Sequence, residues 1–350
     1  MIDAKIIWES GSAYDFFCSL RVLHEPGHYG LRPSWAAGVR SRVPSEHREI
    51  LEEVQSFLFF PRSWLLSLPE PKNSETALWF LNQIPPKQRL LTLIDGSGIP
   101  KPVQEVLGEI AENGSTCDDD QEKLHQAYQN SKTPPRPKVL ASMAALFSQP
   151  EVSGQRYLEA LKSYHAVFFA EEENHIQHYL EEAVISAEQL ASVSSLEELF
   201  ETLSQGVRLG MEPTYDEWVF VPSYWISPLV SFDRLGDNRA MFLFGCRPQD
   251  VSLVSGEVVP EGVLRSFKSL GDSTRLRILK YLVQENIYPA EIARRLRLRA
   301  PTVTHHLKVL RLAGLVVLTL DENNERRYTA RMDAIEEVSA KLMDFLYAKE

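Results

Sequence analysis

Residues 289–312 have the sequence PAEIARRLRLRAPTVTHHLKVLRL, in which two helical patterns are separated by a short connection. The first helix is predicted over residues 290–296, because a proline such as Pro289 is favoured where a helix starts. The second is predicted over residues 300–312, where apolar side chains recur at helical spacing: Val303, Leu307 and Leu310. The opposite face then carries Ala300, Pro301, Thr302, Thr304, His305 and Lys308. This pattern predicts a helix-turn-helix whose second helix, the recognition helix, enters the major groove of double-stranded DNA.

Two further helices are predicted before this pair, over residues 261–270 and 273–283. Gly271 suits the end of the first of them, and Asp272 can cap the start of the second. The second helix is expected to contribute four side chains to a core: Leu276, Ile278, Leu279 and Leu282. These helices extend the helix-turn-helix to a small domain with its own core.

After the recognition helix, strands are predicted over residues 315–320 and 326–330, around a wing at 321–325. A last helix from residue 332 to about residue 347 follows. It has an apolar stripe that is larger than an isolated terminal helix needs: Ile335, Val338, Leu342 and Phe345. We therefore expect this stripe to form a dimer contact.

Four runs in this region together resemble the ArsR family of bacterial repressors. They are LGDSTRLRIL at 270–279, EIA at 291–293, TVTHHLKVL at 302–310 and AGLV at 313–316. The resemblance covers roughly residues 261–331, about a fifth of the chain. The N-terminal portion is similar to a long N-terminal extension found in some such regulators, through Trp8, Tyr14, FFCSL at 16–20 and VPS at 221–223.

The resemblance implies a homodimer that places one recognition helix per subunit in successive major grooves of a roughly palindromic operator. It also implies a repressor. His305 is expected to face DNA, whereas His306 is expected to be partly structural. The residues assigned to DNA contact are Thr274, Arg299, Ala300, Pro301, Thr302, Thr304, His305, His306, Lys308, Arg326 and Arg327.

Three features depart from the family pattern. Some metal-sensing members have thiolate ligands at the position of residues 288–291, where this chain has no cysteine. Others have His and Asp ligands on the last helix, but residues 332–350 of this chain contain no His. We therefore expect neither a metal site nor another cofactor. Arg299 stands where Ser usually caps the recognition helix, which gives up a bond worth about 1 kcal/mol. The wing tip is acidic and is not expected to insert deeply into DNA: Asp321, Glu322 and Glu325.

The chain is predicted to have an α+β fold in two domains, residues 1–255 and 260–350. The first domain is expected to be mostly helical with a small sheet. Its expected role is regulation, effector binding or dimerisation. A long helix is predicted over 154–191. Aromatic and β-branched residues predict strands over 218–221, 226–232 and 240–244, and a strand near Ile6 is expected to join them.

Charge is distributed unevenly between these domains. Residues 1–259 contain 21 Lys and Arg against 36 Asp and Glu, whereas residues 260–312 contain 11 against 4. Residues 313–350 contain 5 against 8, and the whole chain has a net charge of −11. Such an asymmetry is expected where only one part contacts phosphate. The acidic domain is therefore expected to lie away from the duplex.

Three classes of function are compatible with this organisation: a ligand-responsive regulator, an enzyme with an attached DNA-binding domain, and a regulator whose acidic domain binds a protein. The enzyme is disfavoured because the sequence has no Gly-rich cofactor loop, no Gly-x-Ser-x-Gly and no His-Glu-x-x-His. The sequence is equally compatible with a small-molecule effector and with a protein partner. A cavity lined by sheet aromatics would favour the effector: Trp218, Phe220, Tyr224, Trp225 and Phe232.

Two other patterns bear on location and metals. No apolar run is long enough for a membrane helix, and the three cysteines are far apart, so a cytoplasmic protein with reduced thiols is expected. Potential metal ligands share one face of the long helix, although a solvated acidic surface explains them better: Glu171, His175, His178 and Glu182.

Overall fold

The computed structural model describes residues 4–117, 119–129, 131, 134–209, 215–248, 251, 253, 260–285, 287–320 and 325–347. It confirms the predicted α+β class, with a mostly helical N-terminal domain, a small sheet and a C-terminal winged helix-turn-helix.

The N-terminal domain is built mainly from helices. Within the described residues they are α1 (Ser12–His24), α2 (Pro33–Arg40), α3 (Ser45–Gln55), α4 (Arg62–Ser67), α5 (Ser74–Gln83), α6 (Pro86–Ile94), α7 (Lys101–Asn113), α8 (Asp120–Ala127), α9 (Pro137–Ser148), α10 (Pro150–Tyr164), α11 (Ala170–Ala191) and α12 (Leu196–Leu203). A 3₁₀ turn, Pro26–His28, follows α1. The long helix predicted over 154–191 is present within one uninterrupted helical run, Pro150 to Ala191, in which a π-helical turn at His165–Phe169 joins α10 to α11. That turn lets two consecutive side chains, Phe168 and Phe169, both reach the core.

The strands of the described residues are β1 (Lys5–Trp8), β2 (Val207–Leu209), β3 (Glu217–Ser223), β4 (Val230–Arg234), β5 (Arg239–Gly245), β6 (Val316–Leu320) and β7 (Arg326–Ala330). The N-terminal sheet has the order β1-β3-β5-β4, with β4 antiparallel to β5 and the other two pairs parallel. β1 joins this sheet as predicted. The strand expected over 226–232 begins only at Val230, because the preceding residues form a turn.

The central strand β3 is buried on both faces. Val219 and Val221 pack into the main helical core, whereas Trp218 and Phe220 pack with Phe200 of α12 on the other side. Alternation along a strand directs successive side chains to opposite faces, so both layers are built from one short run.

The winged domain contains α13 (Glu261–Leu270), α14 (Ser273–Gln284), α15 (Pro289–Leu296), α16 (Ala300–Leu312), β6, β7 and α17 (Met332–Tyr347). Its core includes Ile278 of α14 and Leu307 of α16, both fully buried. The expectation that Leu276 joins this core is wrong, since its exposed fraction is 49%. Two residues correspond to about half a helical turn, so Leu276 and Ile278 lie on opposite sides of α14.

The sheet of the winged domain receives a strand from the N-terminal domain. β2 pairs in parallel with β6, from Val207 opposite Leu318 to Leu209 opposite Leu320, and β6 pairs antiparallel with β7. The amide of Leu318 also donates to the carbonyl oxygen of Gly206 at 3.0 Å. A strand that precedes the predicted linker therefore completes the sheet that follows it.

Candidate nucleic-acid interface

The recognition helix α16 is fixed by its buried face. Val303, Leu307 and Leu310 are fully buried, so the side chains opposite them point away from the core. The structure leaves five of the predicted contact residues exposed along the first half of the helix: Ala300, Pro301, Thr302, Thr304 and His305. The Thr304 hydroxyl donates to the carbonyl oxygen of Ala300 at 3.0 Å, which leaves its oxygen free to accept. This face is exposed and polar, as an element that enters a groove requires.

The two neighbouring histidines have different environments. His305 is exposed, whereas His306 is partly buried with its Nδ1 atom 4.0 Å from Oδ1 of Asp272. Burial lowers the pKa of His306. Asp272 also caps α14 by accepting from the amide of Arg275 at 2.9 Å. His306 thus lies against the start of α14, near the partly buried Thr274, and its predicted contact with DNA stays a prediction.

The basic residues just before the recognition helix divide into two groups. Arg294 and Arg295 both pair with Glu291, at 2.7 and 2.8 Å, and Arg295 also pairs with Glu285. Hydrogen bonds from Arg294 and Arg295 hold the pKa of Glu291 at about 2. Two of the four arginines just before the recognition helix are therefore neutralised by neighbouring glutamates.

Arg297 and Arg299 form the other group. Both are exposed, and neither forms an ion pair within the described residues. Arg299 occupies the N-cap position of α16 without a capping bond from its side chain, as the sequence predicted. These two guanidinium groups are the cations just before α16 that remain available to phosphate.

Arg297 also forms the tight turn between α15 and α16, with a left-handed φ of 55°. We expect Arg297→Gly to raise the free energy of unfolding by up to about 1 kcal/mol, because glycine adopts this conformation without a Cβ clash. The same change should reduce the salt slope of DNA binding by about 1, because it removes a cation. Urea unfolding and binding titrations at several salt concentrations measure the two effects separately. A loss of stability above about 1 kcal/mol would show that the Arg297 side chain stabilises the turn by packing.

The wing strands place their two arginines differently. Arg326 is exposed, whereas the Arg327 guanidinium lies 4.4 Å from the centre of the Tyr288 ring. Arg326 is therefore better placed than Arg327 for a phosphate contact. Of the acidic tip, Asp321 and Glu322 lie outside the described residues, and Glu325 is exposed.

A contact that the sequence did not predict lies on the second half of the recognition helix. Nζ of Lys308 is 2.6 Å from Nδ1 of His28, in the 3₁₀ turn of the N-terminal domain. Burial and then the Lys308 charge lower the pKa of His28. At the end of α16, Arg265 of α13 donates to the carbonyl oxygen of Leu312 at 3.2 Å. The N-terminal domain thus touches the face proposed for DNA, and no periodicity in the sequence signals a contact between residues so far apart.

The predicted dimer stripe on α17 lies partly inside its own subunit. Val338 has an exposed fraction of 7% and belongs to the winged core, with Ile335 packed against it. Leu342 and Phe345 are partly buried. The exposed apolar side chains of α17 and of the adjacent α13 are instead Met332, Met343, Leu346, Tyr347 and Phe267.

The sheet aromatics do not line an effector cavity together. Four of them are core residues with exposed fractions of at most 1%: Trp218, Phe220, Tyr224 and Trp225. Phe232 lines an open cleft of about 1010 Å³ within the N-terminal domain. A smaller cavity of about 90 Å³ lies between the two domains and is lined by residues that include Ser227, Arg247, Arg265, Leu312, Arg331 and Lys341.

The histidines predicted as potential metal ligands lie close together on α11. His175 and His178 lie with their ring centres 6.4 Å apart and contact Tyr179. Within the described ranges, no group of three or more His, Cys, Asp or Glu residues is arranged to hold a metal ion. Nor is any helix in those ranges both long and apolar enough to span a bilayer.

Comparison with known proteins identifies the C-terminal region. Residues 270–319 match the model of a helix-turn-helix domain. Over 76 residues the chain is 37% identical to the HTH-type transcriptional regulator CmtR of Mycobacterium bovis and of Mycobacterium tuberculosis, covering 22% of this chain and 64% of that regulator. Over 51 residues it is 43% identical to an uncharacterised HTH-type transcriptional regulator of Methanocaldococcus jannaschii, covering 14% of this chain and 57% of the relative. The chain thus spans less than two thirds of each relative's length, and no solved structure matches it.

Proposed function

We propose that this protein is a sequence-specific transcriptional regulator of the ArsR type, which binds double-stranded operator DNA as a homodimer and represses its target. The observation that carries the proposal is the outer face of α16, where Thr304 and His305 are exposed because Val303 and Leu307 anchor the helix in the core. Exposed cations beside it, at Arg297 and Arg299, suit the phosphate backbone. Similarity to helix-turn-helix regulators supports the same function.

The test is selection of a binding site from random double-stranded DNA by the full chain. We expect an inverted repeat whose half-site centres are separated by about one helical turn, or a multiple of it, because each subunit places one helix in the major groove. Binding measured by fluorescence anisotropy should weaken steeply as salt increases. Failure to enrich any sequence would contradict the proposal, even if weak non-specific binding remained.

The homodimer is supported by the exposed apolar residues of two helices that pack together. Phe267 of α13 and Leu346 and Tyr347 of α17 present apolar surface to solvent, and the exposed fraction of Tyr347 is 76%. Burial of such surface is the main driving force of most subunit association. Multi-angle light scattering should give twice the mass of the chain, and a monomer at micromolar concentration would oppose a dimeric regulator.

A small-molecule effector is supported by the cavity between the domains. Its volume of about 90 Å³ corresponds to roughly six to nine water-sized positions, so it suits a compact ligand. Residues of the N-terminal domain, of α13 and of α17 share its walls, and an occupant that favoured one domain arrangement would shift the population towards it. Native mass spectrometry of the purified protein tests this, because a bound small molecule or a bound protein appears as a distinct added mass.

We propose that the protein acts without catalysis and without a metal. Dialysis against a chelator, followed by addition of zinc or copper, is expected to leave DNA affinity unchanged. The physical reason is the lack of a thiol at residues 288–291 and of a histidine at 332–350. Anisotropy titrations before and after each treatment measure the effect. Release of DNA by one equivalent of a metal would contradict this prediction.

A further inference from the structure

The contact between Lys308 and His28 brings part of the N-terminal domain to the edge of the recognition face. Lys308 follows Thr304 by four residues and His305 by three, so it lies on the same side of α16 as both. The 3₁₀ turn that holds His28 ends four residues before α2 begins, and both lie within residues 26–44, which we call the flank segment. The flank segment therefore begins beside the face that we propose enters DNA.

The charge of the flank segment differs from that of the domain around it. Residues 26–44 contain three arginines and no aspartate or glutamate, whereas residues 1–259 as a whole carry 15 more acidic than basic residues. Arg40 pairs with Glu52 at 3.1 Å. Arg42 is exposed and forms no ion pair within the described residues. The segment is thus a locally basic region in an acidic domain.

The surface of the flank segment is also open to a close approach. Gly27, Ser34, Ala37, Gly38 and Ser41 are all exposed and small. A Cβ atom placed on Gly27 or Gly38 would meet no atom within 4 Å. A polyanion can therefore come near the backbone of α2 without displacing a large side chain.

We propose that the flank segment is a second DNA-binding surface, which contacts the phosphate backbone of the duplex beside the half-site contacted by α16. This inference rests on the proposed function and extends it. Glu52 offsets the charge of Arg40, but charges more than about 8 Å apart are largely screened at physiological salt, so acidic residues farther away in the domain contribute little to the potential around the exposed Arg42. The expectation that the acidic domain stays away from DNA therefore does not apply to this segment.

Introduction of a negative charge at Gly38 tests the proposal in the full chain. Gly38 lies inside α2 with open space around it, and glutamate and glutamine are both better helix formers than glycine, so Gly38→Glu and Gly38→Gln should keep the fold. The probe is a 40-base-pair duplex of random sequence, because backbone contacts are independent of sequence. We expect Gly38→Glu to weaken binding about tenfold at 0.1 M salt and Gly38→Gln to change it less than about twofold.

A matched control is Gly108→Glu on α7, where a Cβ atom also meets nothing within 4 Å and where the helix packs against α6, α8 and α9. It adds the same charge elsewhere on the domain and should leave affinity unchanged. Arg42→Gln should reduce the salt slope by about 1. Equal losses for Gly38→Glu and Gly108→Glu would overturn the proposal in favour of a general charge effect.

Three other outcomes are also decisive. If His28→Ala tightens binding while Gly38→Glu leaves it unchanged, the turn obstructs DNA and the flank segment is not a binding surface. If the flank variants bind the random duplex like the unsubstituted chain while Thr304→Ala and His305→Ala bind the selected operator more weakly, the proposed function stands and this inference fails. If the unsubstituted chain does not bind the duplex at all, the proposed function itself fails.

Discussion

Replacing Thr304 and His305 by alanine is expected to weaken operator binding by about 1–3 kcal/mol for each residue, which is at least about fivefold apiece. Both side chains are exposed on α16, and neither belongs to the core, so the loss should come from base contacts and not from unfolding. The measurement is a pair of anisotropy titrations, one with the selected operator and one with random DNA. Circular dichroism and thermal unfolding should be unchanged.

A control for these variants is His125→Ala, which removes a histidine from an exposed position on α8. It should bind the operator as the unsubstituted chain does. If Thr304→Ala and His305→Ala lose the same affinity for random DNA as for the operator, the two residues contact the backbone and do not read bases.

Asp15→Ala is expected to reduce the free energy of unfolding by at least about 3 kcal/mol. The Asp15 carboxylate is fully buried and accepts hydrogen bonds from the amides of Tyr224 and Trp225 at 2.9 and 3.0 Å, and from the Ser223 hydroxyl. Alanine would leave these donors buried without an acceptor, at roughly 1–3 kcal/mol each. Urea unfolding measures the loss, and Asp95→Ala, at an exposed position, should stay within about 0.5 kcal/mol.

The stability that Asp15 contributes is expected to depend on pH. Burial raises the pKa of Asp15 from 3.8 to about 6, against the lowering effect of its hydrogen bonds. Because the folded pKa is the higher one, the contribution of Asp15 to stability is largest below pH 4 and falls as pH rises to 6. The difference in unfolding free energy between the unsubstituted chain and Asp15→Ala should therefore narrow over this range. A difference that widened would contradict the assigned direction of the shift.

The winged domain could be predicted from the sequence because its helices carry complete apolar stripes. The spacing of Val303, Leu307 and Leu310 fixed the buried face of α16, and the outward face followed from it. The same spacing could not show which element covers a stripe. The stripe on α17 predicts a dimer contact at Val338, but this side chain packs into the core of its own subunit. An apolar stripe indicates burial and does not identify the surface that buries it.

The contacts between domains could not be predicted for a different reason. β2 has three residues, which is too short for an alternating pattern, and it is held by backbone hydrogen bonds that any side chain allows. The pair of Lys308 and His28 joins residues 280 positions apart. Neither feature leaves a periodic signal, so the sequence does not predict the sheet that residues of both predicted domains share.

The pairing of β2 with β6 has a consequence for any attempt to isolate the C-terminal region. A fragment that starts at Pro260 would lose the strand that pairs with β6 at Leu318–Leu320, although β7 would stay paired with the other edge of β6. The sequence of β6, VVLTL, is uncharged, mostly apolar and rich in β-branched residues. Exposed edge strands of this composition associate edge to edge with other chains. Such a fragment should aggregate unless charged residues are introduced into β6 or a strand equivalent to β2 is supplied. The N-terminal domain therefore protects the C-terminal region from self-association.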